Sequence, residues 1–262
     1  QIYKSANMKV TILGSGTSQG IPIIMCNCEV CRSNDPKDKR LRTSILIETE
    51  NTTICIDAGP DFRYQMLRAN VQKLDAILIT HEHKDHIGGL DDVRPFIFKQ
   101  QKPITVYAST AAQKEIKREY SYAFVRHEDR YPGAPVFDLE TINHQPITIN
   151  DLIIKPIKLK HYTLTSYAFR IGNFAYVTDL SELPRRAYKE LKGVEYLIIE
   201  ALRHTPHYSH ISLSEAIDIA NMIGAKKVWF THISHDMGKY ADTNPTLPEN
   251  MMLAYDGLEI II

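Results

Sequence analysis

The run Thr80-His81-Glu82-His83-Lys84-Asp85-His86 carries three imidazoles and a carboxylate at a spacing that suits divalent metal ions. It follows the apolar stretch Leu74–Ile79, which reads as a buried strand, and it precedes Gly88-Gly89. His81 and His83 lie two apart, so at an extended strand end they point the same way. Asp85 and His86 fall where the chain turns into a helix. One such segment can give two nitrogens to one ion and a carboxylate plus a nitrogen to a second. Borderline-soft ions such as zinc accept both donor types. The run therefore reads as half of a two-metal hydrolytic site. A polar turn rich in histidine is the plainer alternative, and the strand before it and the turn after it weigh against that.

H-x-H-x-D-H behind an apolar strand resembles the signature of the metallo-β-lactamase superfamily. The resemblance implies an α+β fold, a four-layer αβ/βα sandwich of two facing mixed sheets with helices outside. It places two metals at one edge of the sandwich. It also implies three more ligands in a set order, and the chain offers each just past an apolar run. His161 follows Leu152–Lys160, Asp179 ends Phe174–Thr178, and His232 follows Lys227–Thr231. Loops at strand ends are where rigid scaffolds carry functional groups. Metal one then takes His81, His83 and His161, metal two takes Asp85, His86 and His232, and Asp179 bridges them. Zinc or manganese suits these donors.

The cysteines form a second group. Three of the four lie in Cys26-Asn27-Cys28-Glu29-Val30-Cys31. They cannot all pair within the segment, and thiolates at this spacing can wrap one tetrahedral zinc that needs a fourth ligand. Cys55 sits in the strand-like Thr53–Ile56 and reads as a small core residue. His235, three residues after His232, is the better fourth ligand. Three reduced surface thiols would be an oxidation liability.

The glycine turn Gly14–Gly20, the cysteine loop and the late His-x2-His resemble one branch of the superfamily, which includes the phosphonate-pathway cyclic phosphodiesterase. This resemblance implies a structural zinc on Cys26, Cys28, Cys31 and His235. It also implies that His210 is a catalytic or phosphate-binding histidine outside the ligand set, just before a helix, where an anion is favoured. His204 and His207 fall in the same loop as rim residues, with His207 a candidate substrate contact. After the motif, Gly89–Phe96 departs from that enzyme and is more similar to broadly distributed hydrolases of the branch, so the substrate stays open. Arg94 suits either a substrate phosphate or an ion pair with Asp91 or Asp92. Asp57 is placed to orient a ligand histidine, or is simply a turn aspartate.

The implied chemistry is phosphodiester hydrolysis on a small cyclic phosphate or nucleotide-like substrate. Two cations about 4 Å apart lower the pKa of a shared water toward ~7, and the hydroxide attacks phosphorus in line. Asp85 takes part as ligand and catalytic carboxylate, and His210 stabilises the anion or protonates the leaving alkoxide. Three rivals share these features. A ribonuclease Z-type nuclease needs a basic arm that is not evident here. A thioester or lactam hydrolase follows from fold alone. The pyrroloquinoline-quinone biosynthesis protein B type, non-hydrolytic, carries a similar cysteine loop.

The elements that must hold these residues read as alternating strands and helices in one domain spanning 1–262. Strands are expected at Lys9–Leu13, Ser44–Glu48, Thr53–Asp57, Leu74–Ile79, Ile104–Tyr107, Val136–Ile142, Leu152–Lys160, Ser166–Ile171, Phe174–Thr178, Tyr196–Glu200, Lys226–Phe230 and Gly257–Ile262. Helices are expected over Asp61–Ala69, from a Ser109 cap through Glu119, over Pro184–Leu191, and over Ser212–Ile223 behind a capping signal. Tyr120–Pro135 is aromatic and charged, suited to a cover over the site or a homodimer contact. A length of 262 residues, 44% hydrophobic and 24% charged, fits a globular α/β core. Zero formal net charge argues against a long nucleic acid as partner. No apolar run approaches the roughly 18 residues of a membrane span. Gln1–Asn7 is short and polar, with Met8 a natural start, which points to a cytoplasmic protein.

Overall fold

The computed structural model describes residues 8–262, so the reading of Gln1–Asn7 lies outside it. Fourteen strands form two sheets of seven. The N-terminal half supplies β1 (Lys9–Gly14), β2 (Ser44–Glu48), β3 (Thr53–Ile56), β4 (Ala76–Leu78), β5 (Ile104–Ala108) and β6 (Phe137–Thr141). The other half supplies β7 (Ile147–Ile149), β8 (Leu152–His161), β9 (Leu164–Ile171), β10 (Phe174–Val177), β11 (Tyr196–Glu200), β12 (Lys227–Thr231) and β13 (Met251–Leu253). The last strand, β14 (Glu259–Ile261), returns to pair antiparallel with β1. Spatial order is β14-β1-β2-β3-β4-β5-β6 in one sheet and β13-β12-β11-β10-β9-β8-β7 in the other.

Side-chain alternation sorts each strand between two cores. In β10, Phe174 and Tyr176 join the core between the sheets, while Ala175 and Val177 face the outer helices. In β3, Ile54 and Ile56 point inward and Cys55 outward. The helices Phe62–Arg68, Arg94–Gln100 and Thr110–Glu119 contribute to the outer core of the first sheet. Arg185–Leu191 and Leu213–Ile223 cover the second. The chain is thus the four-layer αβ/βα sandwich. Ser212 and Glu215 complete the capping box of the second long helix, with the Ser212 amide donating to Glu215 at 2.7 Å.

Boundaries differ from expectation where side chains compete with the ladder. The motif strand is only Ala76–Leu78, because Leu74 exchanges both its backbone groups with the Gln100 side chain, at 2.8 and 2.9 Å. Strands β7 and β13, of three residues each, are too short to show a period. The helix Arg94–Gln100 also escapes the pattern reading; its Pro95 sits in the first turn, where a missing N–H costs nothing. Tyr120–Pro135 does not cover the site. Tyr120 donates to Ile87 O at 2.8 Å, and Phe124 stacks on Phe137 with centroids 5.9 Å apart, against the first sheet.

This topology sets the functional edge. Strands β10, β11, β12 and β13 run parallel, so their C-terminal ends share one edge. β3 and β4 are also parallel to each other. Asp57, Asp179 and His232 each lie just past such an end, in left-handed backbone with φ of 65°, 56° and 55°. Non-glycine residues enter that region at a cost of order 1–3 kcal/mol, which persists only where the surroundings enforce it. No helix among the described residues is long and apolar enough to cross a membrane.

Candidate active site

Six of the expected ligands form two triads around a seventh. His81 Nε2 lies 2.9 Å from His83 Nδ1, and the His161 ring stands 5.0 and 5.2 Å from those two rings. On the other side, Asp85 Oδ2 lies 3.3 Å from His86 Nε2 and 3.8 Å from His232 Nε2. Asp179 stands between the triads. Its Oδ2 is 3.3 Å from His86 Nε2, and its Oδ1 is 3.5, 3.8 and 3.9 Å from Nε2 of His232, His161 and His81.

The donors fit divalent ions. Nε2 of His86 and both ring nitrogens of His232 are buried without a hydrogen-bond partner among the described residues. Each such orphan costs about 1–3 kcal/mol unless something satisfies it. The atoms facing them are carboxylate oxygens and further imidazole nitrogens, a set that converges on a cation. Burial, then the neighbouring His86 charge, holds the His81 pKa well below its ordinary value, and burial likewise lowers His161. Both are thereby neutral imidazoles, as ligation requires.

The far nitrogens are fixed by the shell behind. Asp57, fully buried, accepts from His86 Nδ1 at 2.7 Å and from the Thr80 amide at 2.9 Å. His161 Nδ1 donates to Ser209 O at 3.0 Å. Each bond selects the tautomer whose Nε2 lone pair faces the centre. Asp57 thus holds the His86 ring by its Nδ1 and does more than cap a turn.

Glu200 received no role from its sequence position, yet it is central. It is fully buried as the last residue of β11, and its Oε2 accepts from His210 Nδ1 at 2.8 Å. Burial pushes the His210 pKa down, but Glu200, followed by Asp179, outweighs it and raises it to about 9. The available signal was a carboxylate closing an apolar run beside two others that end in ligands. His210 is not one of the two triads, and its ring packs 4.9 and 4.8 Å from His161 and His232.

His83, Asp85, His161, Asp179, His210 and His232 open onto a cavity of about 580 Å³ shared with Thr17, Ser18 and Gln19 of the glycine turn. His207 lines it too, its ring 5.4 Å from that of His210. His204 points elsewhere, with Nε2 on Met237 O at 3.0 Å. Arg94 is in an i,i+3 pair with Asp91 at 2.5 Å and is not part of the cavity wall.

The cysteine loop closes on His235 from the far end of the chain. Cys26, Cys28 and Cys31 Sγ lie 3.3, 3.5 and 3.7 Å from His235 Nδ1. Tetrahedral zinc, with bonds of about 2.3 Å to sulfur and 2.0–2.1 Å to nitrogen, sets sulfur and nitrogen about 3.5 Å apart. The Cys31 amide on its sulfur is the main cause that lowers the Cys28 thiol to about 6, while burial raises Cys31 to about 11. The loop has little other support, since its buried apolar cluster is Ile21, Val30 and Cys31. Cys28→Ser is expected to release about one metal ion per chain and lower the melting temperature. Metal analysis after mild chelation checks this, and a variant that holds as much metal as the parent would remove the zinc loop.

Four known proteins or families resemble this chain. The profile of the beta-lactamase superfamily domain matches residues 52–233. An octanoyltransferase of Porphyromonas gingivalis is 39% identical over 97% of this chain, which spans only 52% of that protein's length. The crystal structure of a new diphosphatase from the PhnP family superposes with a TM-score of 0.91, 38% identity and coverage of 98% of this chain and 97% of that one. Zinc-bound PqqB from Methylobacterium extorquens shares the fold, with TM-score 0.78 at 17% identity.

Proposed function

The chain belongs to the beta-lactamase superfamily, and from that premise we propose that it is a metal-dependent hydrolase of small phosphodiesters. The observation that carries this reading is the single Asp179 carboxylate within 3.9 Å of Nε2 of four imidazoles drawn from both triads. His81, His83 and His161 would hold one ion, Asp85, His86 and His232 the other, with Asp179 shared. Bound there, zinc or manganese would supply Lewis acidity toward a phosphoryl oxygen and a water of lowered pKa. A third ion, zinc, would be structural, on Cys26, Cys28, Cys31 and His235.

The protein's own groups do the rest. His210, cationic up to about pH 9, faces Asp179 Oδ1 at 3.8 Å through the nitrogen that Glu200 holds. Its Nε2 is left to reach a phosphoryl oxygen or to give a proton to the departing alkoxide. Asp57 keeps His86 in its ligating tautomer. Among the described residues no lysine or arginine lines the cavity. A singly charged diester suits such a wall better than a multiply charged chain of phosphates; the PhnP-family relative, named a diphosphatase, supports hydrolysis at phosphorus and not the diester preference. The substrate is small, and the neutral chain lacks the field that holds a long nucleic acid.

The test is turnover by metal-loaded protein of bis(p-nitrophenyl) phosphate, against acyl thioester and lactam substrates. Diester hydrolysis that stops on chelation and returns with zinc or manganese is expected. Thioester cleavage without diester cleavage would favour the second reading, which the octanoyltransferase relative brings with it.

A further inference from the structure

We infer that Tyr162 and Tyr208 form a stacking platform that binds the base of a nucleotide diester while its phosphorus sits at the metal edge. The inference rests on the phosphodiesterase reading above. Both rings line the same cavity as His83, Asp85, His161, Asp179 and His232. Their centroids are 5.4 Å apart at 74°, an edge-to-face pair. In such a pair the edge of one ring meets a face of the other, and the remaining surface is open: Tyr162 and Tyr208 are 57% and 73% exposed. Large aromatic residues exposed side by side at the mouth of a catalytic cavity are not accounted for by core packing.

The backbone sharpens this. Tyr162 and Thr163 form a two-residue loop between β8 and β9, where His161 pairs with Leu164. Tyr162 has φ +50°, at the first loop position, where glycine is the usual choice. A bulky ring is therefore held against local preference, directly beside the ligand His161. Tyr208 is held from the other side, its ring 4.3 Å from His207. Strain kept at a functional edge points from an observed outlier to a role.

The chemistry of the wall names the ligand. A cavity of about 580 Å³ has room for far more than a phosphoryl group. Apart from His210, which faces phosphorus, what extends beyond meets no lysine or arginine among the described residues of that wall. It meets two phenol rings, with the Ser18 and Gln19 side chains available for hydrogen bonds. A flat, π-rich, uncharged group with polar edges matches this set, and every nucleobase has such a face. A sugar phosphate without a base leaves both rings idle.

The experiment compares two esters on metal-loaded protein: thymidine 5′-(p-nitrophenyl phosphate) and methyl p-nitrophenyl phosphate. Wild type should prefer the thymidine ester in kcat/KM, mainly through KM. Tyr162→Gly and Tyr208→Leu should each cut that preference roughly tenfold, within the range of base–aromatic stacking. Tyr162→Gly suits the left-handed backbone, so its melting temperature should hold and a loss of preference cannot be put down to misfolding. Tyr208→Phe should keep the preference, since the ring face remains. An unchanged ratio in both ring-removing variants would overturn the platform. If wild type cleaves neither ester, the phosphodiesterase reading fails on its own. The platform is then judged by NMR titration of the tyrosine ring signals with adenosine monophosphate and ribose 5-phosphate. Tighter binding of the former, lost in the variants, supports it, and equal affinities overturn it.

Discussion

Asp179→Ala is expected to lower phosphodiester turnover by at least about 10³-fold, more than removal of a single electrostatic donor usually costs. Asp179 is the one carboxylate placed between both triads, and its Oδ1 alone stands within 3.9 Å of three ligand imidazoles. Burial raises its pKa, but the His232, His86 and His81 imidazoles together hold the carboxyl well below its ordinary range. It is therefore an anion at any working pH. Removing it leaves one triad of three imidazoles and one of Asp85 with two imidazoles, with no shared anion to hold two cations at working distance. The fold should survive, because the residue lies just past the end of β10 and belongs to none of the hydrophobic core clusters. Steady-state kinetics, metal content and a melting curve on the same sample check this, with Asp179→Asn as the isosteric companion. Near wild-type turnover in both variants would show that the two triads do not act through Asp179.

His210→Ala is expected to cost about 10²–10⁴-fold in turnover, the usual contribution of a positioned acid. Both active-site metals should be retained, because His210 lies outside the two triads. The loss should be largest for alkyl leaving groups and smaller for p-nitrophenolate, which departs without a proton. Equal losses for both would place His210 on the phosphate instead, and loss of metal would make it a ligand.

Glu200→Gln tests the same device by pH. The protonated imidazole is the active form and is present below its pKa, so activity falls as pH rises through about 9. Glu200 is the largest group raising that pKa, bonded to Nδ1 at 2.8 Å. The variant should therefore move the alkaline limb to lower pH while keeping its metals. An unmoved limb would detach Glu200 from the proton on His210.

Much of the metal edge was legible because its parts are local. His81, His83, Asp85 and His86 need only a strand end and the turn that follows, and residue stereochemistry fixes which way they face. The apolar runs behind His161, Asp179 and His232 mark strand ends in the same way. The capping box at Ser212 was readable for that reason too, since its partner is three residues on. Where the sequence pattern misled, a nonlocal partner intervened. Gln100 took the backbone of Leu74 out of the β4 ladder; for Arg94 the sequence offered two roles, and the structure shows the local one, the i,i+3 pair with Asp91. Glu200 looked like the polar end of a buried strand, and nothing near it in sequence discloses that His210 folds back onto it.

The sequence by itself determined which residues could bind metal, the period of the longer strands and helices, and the neutral charge that suits a small ligand. Local geometry and composition carry that information within a few residues. Only the tertiary structure decided that Glu200 bonds His210 and that Tyr162 meets Tyr208, and it alone shows the expected triads and His235 side by side. Those pairings depend on strand order and register. Parallel β10, β11 and β12 bring Asp179, Glu200 and His232 to one edge, although long crossovers separate them along the chain. No local preference encodes that order; it follows from burying two sheets against each other and their outer faces under helices.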